Sequence, residues 1–213
     1  VRDDDDEVTT DQVLITVIDT NGSGGILYRV NGGGEVTAPI DGSRVTWAAD
    51  SYLSPSLYLS STANLRTYVT TDTITMGDSS LGGTGVSEGI FIVERYAEST
   101  GPGLQMAWDF PVTGTPEIEI RLFMAEIWFD NDEARLFSVA VEGTTPPVFE
   151  NINMHALWGA NKAAMLKHRV VVTDGNLDLD FLAIVENPAI KAIEIRVASD
   201  LTVRSLLPLV LHQ

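Results

Sequence analysis

Residues 117–132 read "EIEIRLFMAEIWFDND". Ile118, Ile120, Leu122 and Met124 stand two apart, the period of a strand with one face on a core. Glu126 continues on the same parity, where an unpaired carboxylate is costly. A hairpin turning at Asp130-Asn131 sets Glu126 opposite Arg135, and a structural salt bridge is expected between them. Trp128 and Phe129 are the last residues before that turn. A regular pleat sends neighbouring side chains to opposite faces. Where the pleat relaxes at a turn, both rings lean over the rim of a sandwich.

Outward from this stretch the pattern repeats. Strand-like segments occupy 26–31, 66–70, 89–96, 104–110, 135–143, 169–185 and 189–198, rich in Val, Ile and aromatics. Turn residues such as Asp174-Gly175 separate them. No long segment holds a 3.6-residue period, and residues 153–168 hold at most a short helix, interrupted by Gly159. The expectation is an all-β sandwich or jelly roll, with short helical turns confined to loops.

The chain has 213 residues, enough for one large domain with a core that needs no staples. Thirteen Lys and Arg face 30 Asp and Glu, for a net charge of -17. Such acidity repels phosphate backbones and anionic lipid, so neither nucleic acid nor membrane insertion is expected. It suits a protein kept soluble outside the cell. Cysteine is absent, so disulfide and thiol chemistry are excluded. The longest apolar runs, such as "LLPLVL" near the end, are far too short to span a bilayer. The chain opens at Val1 rather than Met and is read as a piece of a longer protein.

Residues 1–19 read as a linker or as the last strand of a preceding Ig-like or cadherin-like repeat, with a β-branched stretch at 13–18. The domain proper is placed at 20–213. Asp3, Asp4, Asp5, Asp6 and Glu7 have the hard oxygens that calcium takes at module junctions. A solvated acidic linker is the favoured reading of that run. Calcium is accordingly the sole cofactor considered.

Other patterns carry less. Asp178 and Asp180 share one side of a strand, and paired carboxylates do acid–base work on glycosides. The alternation with Leu177, Leu179 and Phe181 favours a wet strand face instead. "NGGG" at 31–34 lacks the Lys-Ser/Thr ending of a phosphate loop and reads as a turn needing positive φ. His155, His168 and His212 are scattered, and no catalytic triad or nucleophile elbow is visible.

Several segments in fixed order resemble the malectin domain family, disaccharide-binding β-sandwiches also found in plant receptor-kinase ectodomains. They are "YRVNGGG" at 28–34, "WAADSYL" at 47–53, "VERYAES" at 93–99 and "MAEIWFDNDEARLFSVAVEG" at 124–143. The series closes with "DGNLDLDF" at 174–181, a hairpin in the family pattern, and "NPAIKAIEI" at 187–195. The resemblance implies a galactose-binding-like jelly roll with sugar held by aromatics and an acidic residue on loops at one end. It places the family's pocket residues at Tyr52, Tyr96, Trp128, Phe129 and Glu186, with Tyr58 a rival for the role of Tyr52. Trp128 replaces a family Tyr and Glu186 a family Asp. The expected function is a non-catalytic carbohydrate-binding module for a glucose-type di- or oligosaccharide. Its setting would be a bacterial-type, multidomain surface or secreted protein whose neighbouring modules are further partners. The alternative is a structural or protein-binding spacer, calcium-stabilised, in a large adhesin. A glycoside hydrolase built on Asp130, Asp132 or Glu186 ranks last, since nothing in the sequence fixes two carboxylates across a sugar.

Overall fold

The computed structural model describes residues 25–61, 64–114 and 116–198. The acidic run with Asp3–Asp6, the stretch at 13–18, the proposed boundary near residue 20 and the segment 199–213 lie outside them.

The strands run in chain order as β1 (Ile26–Gly32), β2 (Ala48–Asp50), β3 (Leu65–Val69), β4 (Val93–Ala97), β5 (Gly103–Pro111) and β6 (Glu117–Met124). They continue as β7 (Leu136–Val141), β8 (Ala164–Val171), β9 (Asn176–Val185), β10 (Ala189–Ile190) and β11 (Ala192–Val197). They form a five-stranded sheet in the order β2-β1-β11-β6-β8 and two three-stranded sheets, β10-β4-β3 and β5-β9-β7. The fold is an all-β sandwich, as the alternation in the sequence requires.

The parity of 117–124 is realised: Ile118, Ile120, Leu122 and Met124 are fully buried. With Val30 of β1 and Ile193 and Ile195 of β11 they pack on Met106, Trp108 and Phe110 of β5 and on Phe137, Leu179 and Phe181 from β7 and β9. On β9 the polar residues alternate with Leu177, Leu179 and Phe181, all buried, so Asp178 and Asp180 form the wet face. Burial and the Asp109 charge raise both carboxyls above the ordinary aspartate range.

Two local expectations change, and that of a short helix interrupted by Gly159 is met. The first half of 89–96 is a helical turn, α1 (Glu88–Phe91), which lets the adjacent Ile90 and Phe91 both be buried; a strand would split them. The helix in 153–168 is only α2 (Met154–Trp158), capped by the Asn153 side chain on Ala156 N–H and stopped at Gly159, φ 87°. Asp174-Gly175 is no hairpin, because β8 pairs with β6 while β9 pairs with β5 and β7; it arches from one sheet to another.

The face of the large sheet away from the main core is covered at one end by Trp47, Ile90 and Phe91 against Phe123. Beside that cluster it carries a cross-strand row, Arg29, Glu194, Arg121 and Lys167. Arg29 is buried; its Nε donates to Glu194 at 2.7 Å, its Nη2 to Asp41 at 2.6 Å, and the guanidinium lies 4.8 Å from the Trp47 ring centre. Partial burial alone would raise the Asp41 carboxyl, but hydrogen bonds from Arg29 and Ser43 and the guanidinium charge outweigh it and hold it at about 2. Its folded value lies below its unfolded one. The stabilisation is therefore full above about pH 4 and vanishes as pH falls toward 2, contributing about 1 kcal/mol after solvent screening. Asp41→Asn is expected to lower Tm by about 2–4 °C at pH 6. Near pH 2.5 the two thermal unfolding curves should nearly coincide.

Candidate functional site

After Met124 the chain leaves the large sheet, and by Leu136 it has joined β7 in the β5-β9-β7 sheet. The salt bridge expected between Glu126 and Arg135 forms, at 3.1 Å, with both residues buried. The hairpin expected around it does not. β6 and β7 are not paired, and the segment between them wraps around the Glu126 carboxylate. One oxygen, Oε1, accepts from the backbone N–H of Trp128 at 3.1 Å, from that of Phe129 at 3.0 Å and from Arg135 Nη1 at 3.2 Å. Two successive N–H groups converge on one acceptor only where the backbone curls out of the pleat. That curl is why both rings stand on one side.

The rings meet residues from two other places. β3 and β4 pair so that Tyr68 lies opposite Glu94 and Arg66 opposite Tyr96, which puts Tyr68, Glu94 and Tyr96 on one face. The link from β9 to β10 supplies Glu186, held at φ 55°, and Asn187. Tyr68, Glu94, Tyr96, Trp128, Phe129, Arg135, Glu186 and Asn187 line an open cavity of about 270 Å³. Trp128 is 60% exposed and meets Tyr68 edge-on, with ring centres 4.7 Å apart and planes at 89°.

The floor is a buried charge network. Lys191 Nζ donates to Glu94 at 2.6 Å, and Arg135 Nη2 lies 3.7 Å from the other Glu94 oxygen and donates to Asn187 Oδ1 at 3.3 Å. The Arg135 guanidinium lies 5.0 Å from the Phe129 ring centre. Full burial pushes the Lys191 amine down to about 8, against the pull of Glu94.

Four of the five sequence-derived positions, Tyr96, Trp128, Phe129 and Glu186, thus line one cavity. Tyr52 does not join them. It lines a separate cleft of about 440 Å³ with Leu53, Thr67 and Val69. Thr67 and Val69 project from β3 opposite to Tyr68, so the strand divides the two hollows. The next two residues back explain the placement: Asp50 is pinned by Arg95 Nε at 2.9 Å, and Ser51 O accepts from Arg95 Nη2 at 3.1 Å. Tyr58, the rival, packs on Tyr28 and Phe110 at the core edge. The ring that faces Tyr96 and Trp128 instead is Tyr68. Its segment, "RTYVT", shows a strand but not its partner; only the register against "VERYA" brings Tyr68 beside Glu94.

Asp178, Asp180, Asp130 and Asp132 lie outside the cavity lining. Asp132 instead meets His155 Nδ1 at 2.6 Å. Among the described residues no three of His, Cys, Asp or Glu are grouped to hold a metal ion, and no helix is long and apolar enough to cross a membrane.

This architecture has relatives among solved structures. The ANX1 ectodomain from Arabidopsis thaliana superposes with a TM-score of 0.67 at 13% identity, over 82% of this chain and 49% of that one. A chain in the structure of the plant peptide RALF23 in complex with FER and LLG2 gives 0.66 at 14% identity, over 82% and 49%. Bacteroides uniformis beta-glucuronidase gives 0.60 at 16% identity, over 81% of this chain and 18% of that one. The chain spans about half of those plant chains and under a fifth of the glucuronidase, and at such identities the likeness is one of fold. Comparison with curated proteins finds no match. The family assignment rests on the sequence itself: the malectin domain model matches residues 26–200, almost the whole described region, and the chain belongs to the malectin domain family.

Proposed function

We propose that the domain is a non-catalytic carbohydrate-binding module of a larger extracellular or cell-surface protein, and that it seats a glucose-type di- or oligosaccharide. The observation that carries this reading is the convergence of Tyr68, Tyr96, Trp128 and Phe129 with Glu186 and Asn187 around one open cavity. A pyranose has apolar C–H faces and a rim of hydroxyls. Aromatic planes cover the first, and a carboxylate, an amide and phenolic hydroxyls take the second. The cavity is below the usual range for drug-sized ligands, which suits one or two sugar rings. Binding rather than hydrolysis is favoured because Glu94, the other carboxylate lining the cavity, is committed to Lys191. The extended unit 20–213 and a bacterial-type multidomain parent belong to the same reading as its proposed context, while calcium at Asp3–Asp6 belongs to the alternative of a structural or protein-binding spacer.

Such an open site should bind with a Kd of about 10⁻⁵–10⁻³ M. Titration calorimetry with gluco-disaccharides should show Trp128→Ala weakening binding at least about tenfold, a loss of roughly 1.4 kcal/mol. The exposed ring should leave Tm nearly unchanged. No binding by any saccharide, or equal binding by the variant, would refute the proposal.

A protein-binding role has one observation of its own. The loop after β2 exposes Leu53 by 90% and Leu57 by 97%, beside Tyr52. If that loop is a docking surface, Leu53→Ser with Leu57→Ser should abolish capture of neighbouring modules and leave saccharide binding intact.

A further inference from the structure

The lining of the cavity is suited to a positively charged ligand group, and we infer that its ligand class is an amino sugar with a free amine rather than a neutral glucan. The inference rests on the carbohydrate reading above and narrows it.

Three observations combine. First, the walls form a corner. Tyr68 and Trp128 meet at 89° with centres 4.7 Å apart, and Tyr96 and Phe129 add two more rings to the same hollow. Ring faces carry negative quadrupole potential and attract cations; Phe129 already takes the Arg135 guanidinium at 5.0 Å, which leaves Tyr68, Tyr96 and Trp128 to meet a ligand cation. Second, the charge count is unbalanced by one. Beneath the rings, Glu94 and Glu126 are matched by Lys191 and Arg135 through close contacts. Glu186 lines the cavity, and among the described residues its carboxylate has no hydrogen-bond or ion-pair partner. It is held there by a backbone at φ 55°, a conformation that side-chain-bearing residues adopt at a cost. Third, the Arg135 charge that would repel an ammonium is engaged below, by Glu126 at 3.1 Å and Asn187 at 3.3 Å. The net charge of -17 on the whole chain works in the same direction. A lysine side chain would satisfy the corner and Glu186, but it would leave the tyrosine hydroxyls and the Asn187 amide without hydroxyl partners. A hydroxylated ring bearing an amine uses all of them.

The test is calorimetry at pH 6 with four probes: the β-1,4 trimers of glucosamine, N-acetylglucosamine and glucose, and trilysine. The glucosamine trimer is expected to bind at least about tenfold more tightly than the glucose trimer, and Glu186→Gln is expected to bring that ratio within about threefold. Equal affinity for the amine, acetylated and neutral trimers overturns the amino-sugar inference and leaves the carbohydrate reading standing. So does a preference that survives Glu186→Gln, which marks diffuse attraction to the acidic surface. Binding of trilysine without binding of any sugar, or of no probe at all, overturns the amino-sugar inference; only if the gluco-disaccharides also fail to bind does the carbohydrate reading fall with it.

Discussion

Glu126→Ala lowers the unfolding free energy by about 3–5 kcal/mol, the range for removing one partner of a buried ion pair. Two costs combine. Arg135, 3% exposed, loses the carboxylate whose two oxygens both accept from its Nη1 and keeps the Asn187 contact, a 3.7 Å approach to Glu94 and the Phe129 ring. The N–H groups of Trp128 and Phe129 lose their shared acceptor at the point where the backbone leaves the pleat. The measurement is a urea titration read by tryptophan fluorescence, in which the midpoint falls and the slope is retained. Glu126→Gln keeps an oxygen for the two N–H groups and loses the charge, so its cost is smaller, about 2 kcal/mol. The double replacement Glu126→Met with Arg135→Met should recover part of the alanine loss, because no buried charge is then left alone. A single-variant cost under about 1 kcal/mol would show that the carboxylate does not hold the turn.

Gly33→Ala should cost roughly 3 kcal/mol, with about 1–2 of it from left-handed backbone and the rest from collision. Gly33 sits at φ 83°, and a Cβ there would stand 2.3 Å from the Glu94 carbonyl oxygen and 2.9 Å from Arg95 N. The obstacle is strand backbone, so relief requires β4 to move, and β4 carries Glu94 and Tyr96 of the cavity. Gly42 is the internal comparison: its φ is 77°, and a Cβ there would meet nothing within 4 Å. Gly42→Ala should therefore show the backbone cost alone. Thermal unfolding of the two variants side by side separates strain from collision, and equal losses would count against the close approach of Gly33 to β4.

Both variants touch features that are partly written in the local sequence. The buried parity of Ile118 to Met124, the partnership of Glu126 with Arg135, the positive φ within "NGGG" and the wet face at Asp178 and Asp180 all follow from alternation, burial cost and glycine stereochemistry. The route between Glu126 and Arg135 was not legible. A two-strand hairpin and a crossing between sheets both place those residues near each other, and local pattern does not tell them apart. "GIFIVERY" likewise reads as a strand throughout. The helical turn in its first half answers to packing, since Ile90 and Phe91 are both taken into the cluster around Trp47 and Phe123.

The candidate site divides the same way. That Trp128 and Phe129 stand together at a turn, after a glutamate on a core parity, is a property of seven consecutive residues. That Tyr68 faces them and Tyr52 does not depends on the register of β3 against β4 and on Arg95 gripping the Asp50–Ser51 backbone. Alternation and turn chemistry act between near neighbours, so the amino-acid sequence alone determined the sandwich, its inward faces and the paired rings. Which distant strands lie side by side depends on how all the buried faces share one core, and only the tertiary structure decided which rings and charges close around the cavity.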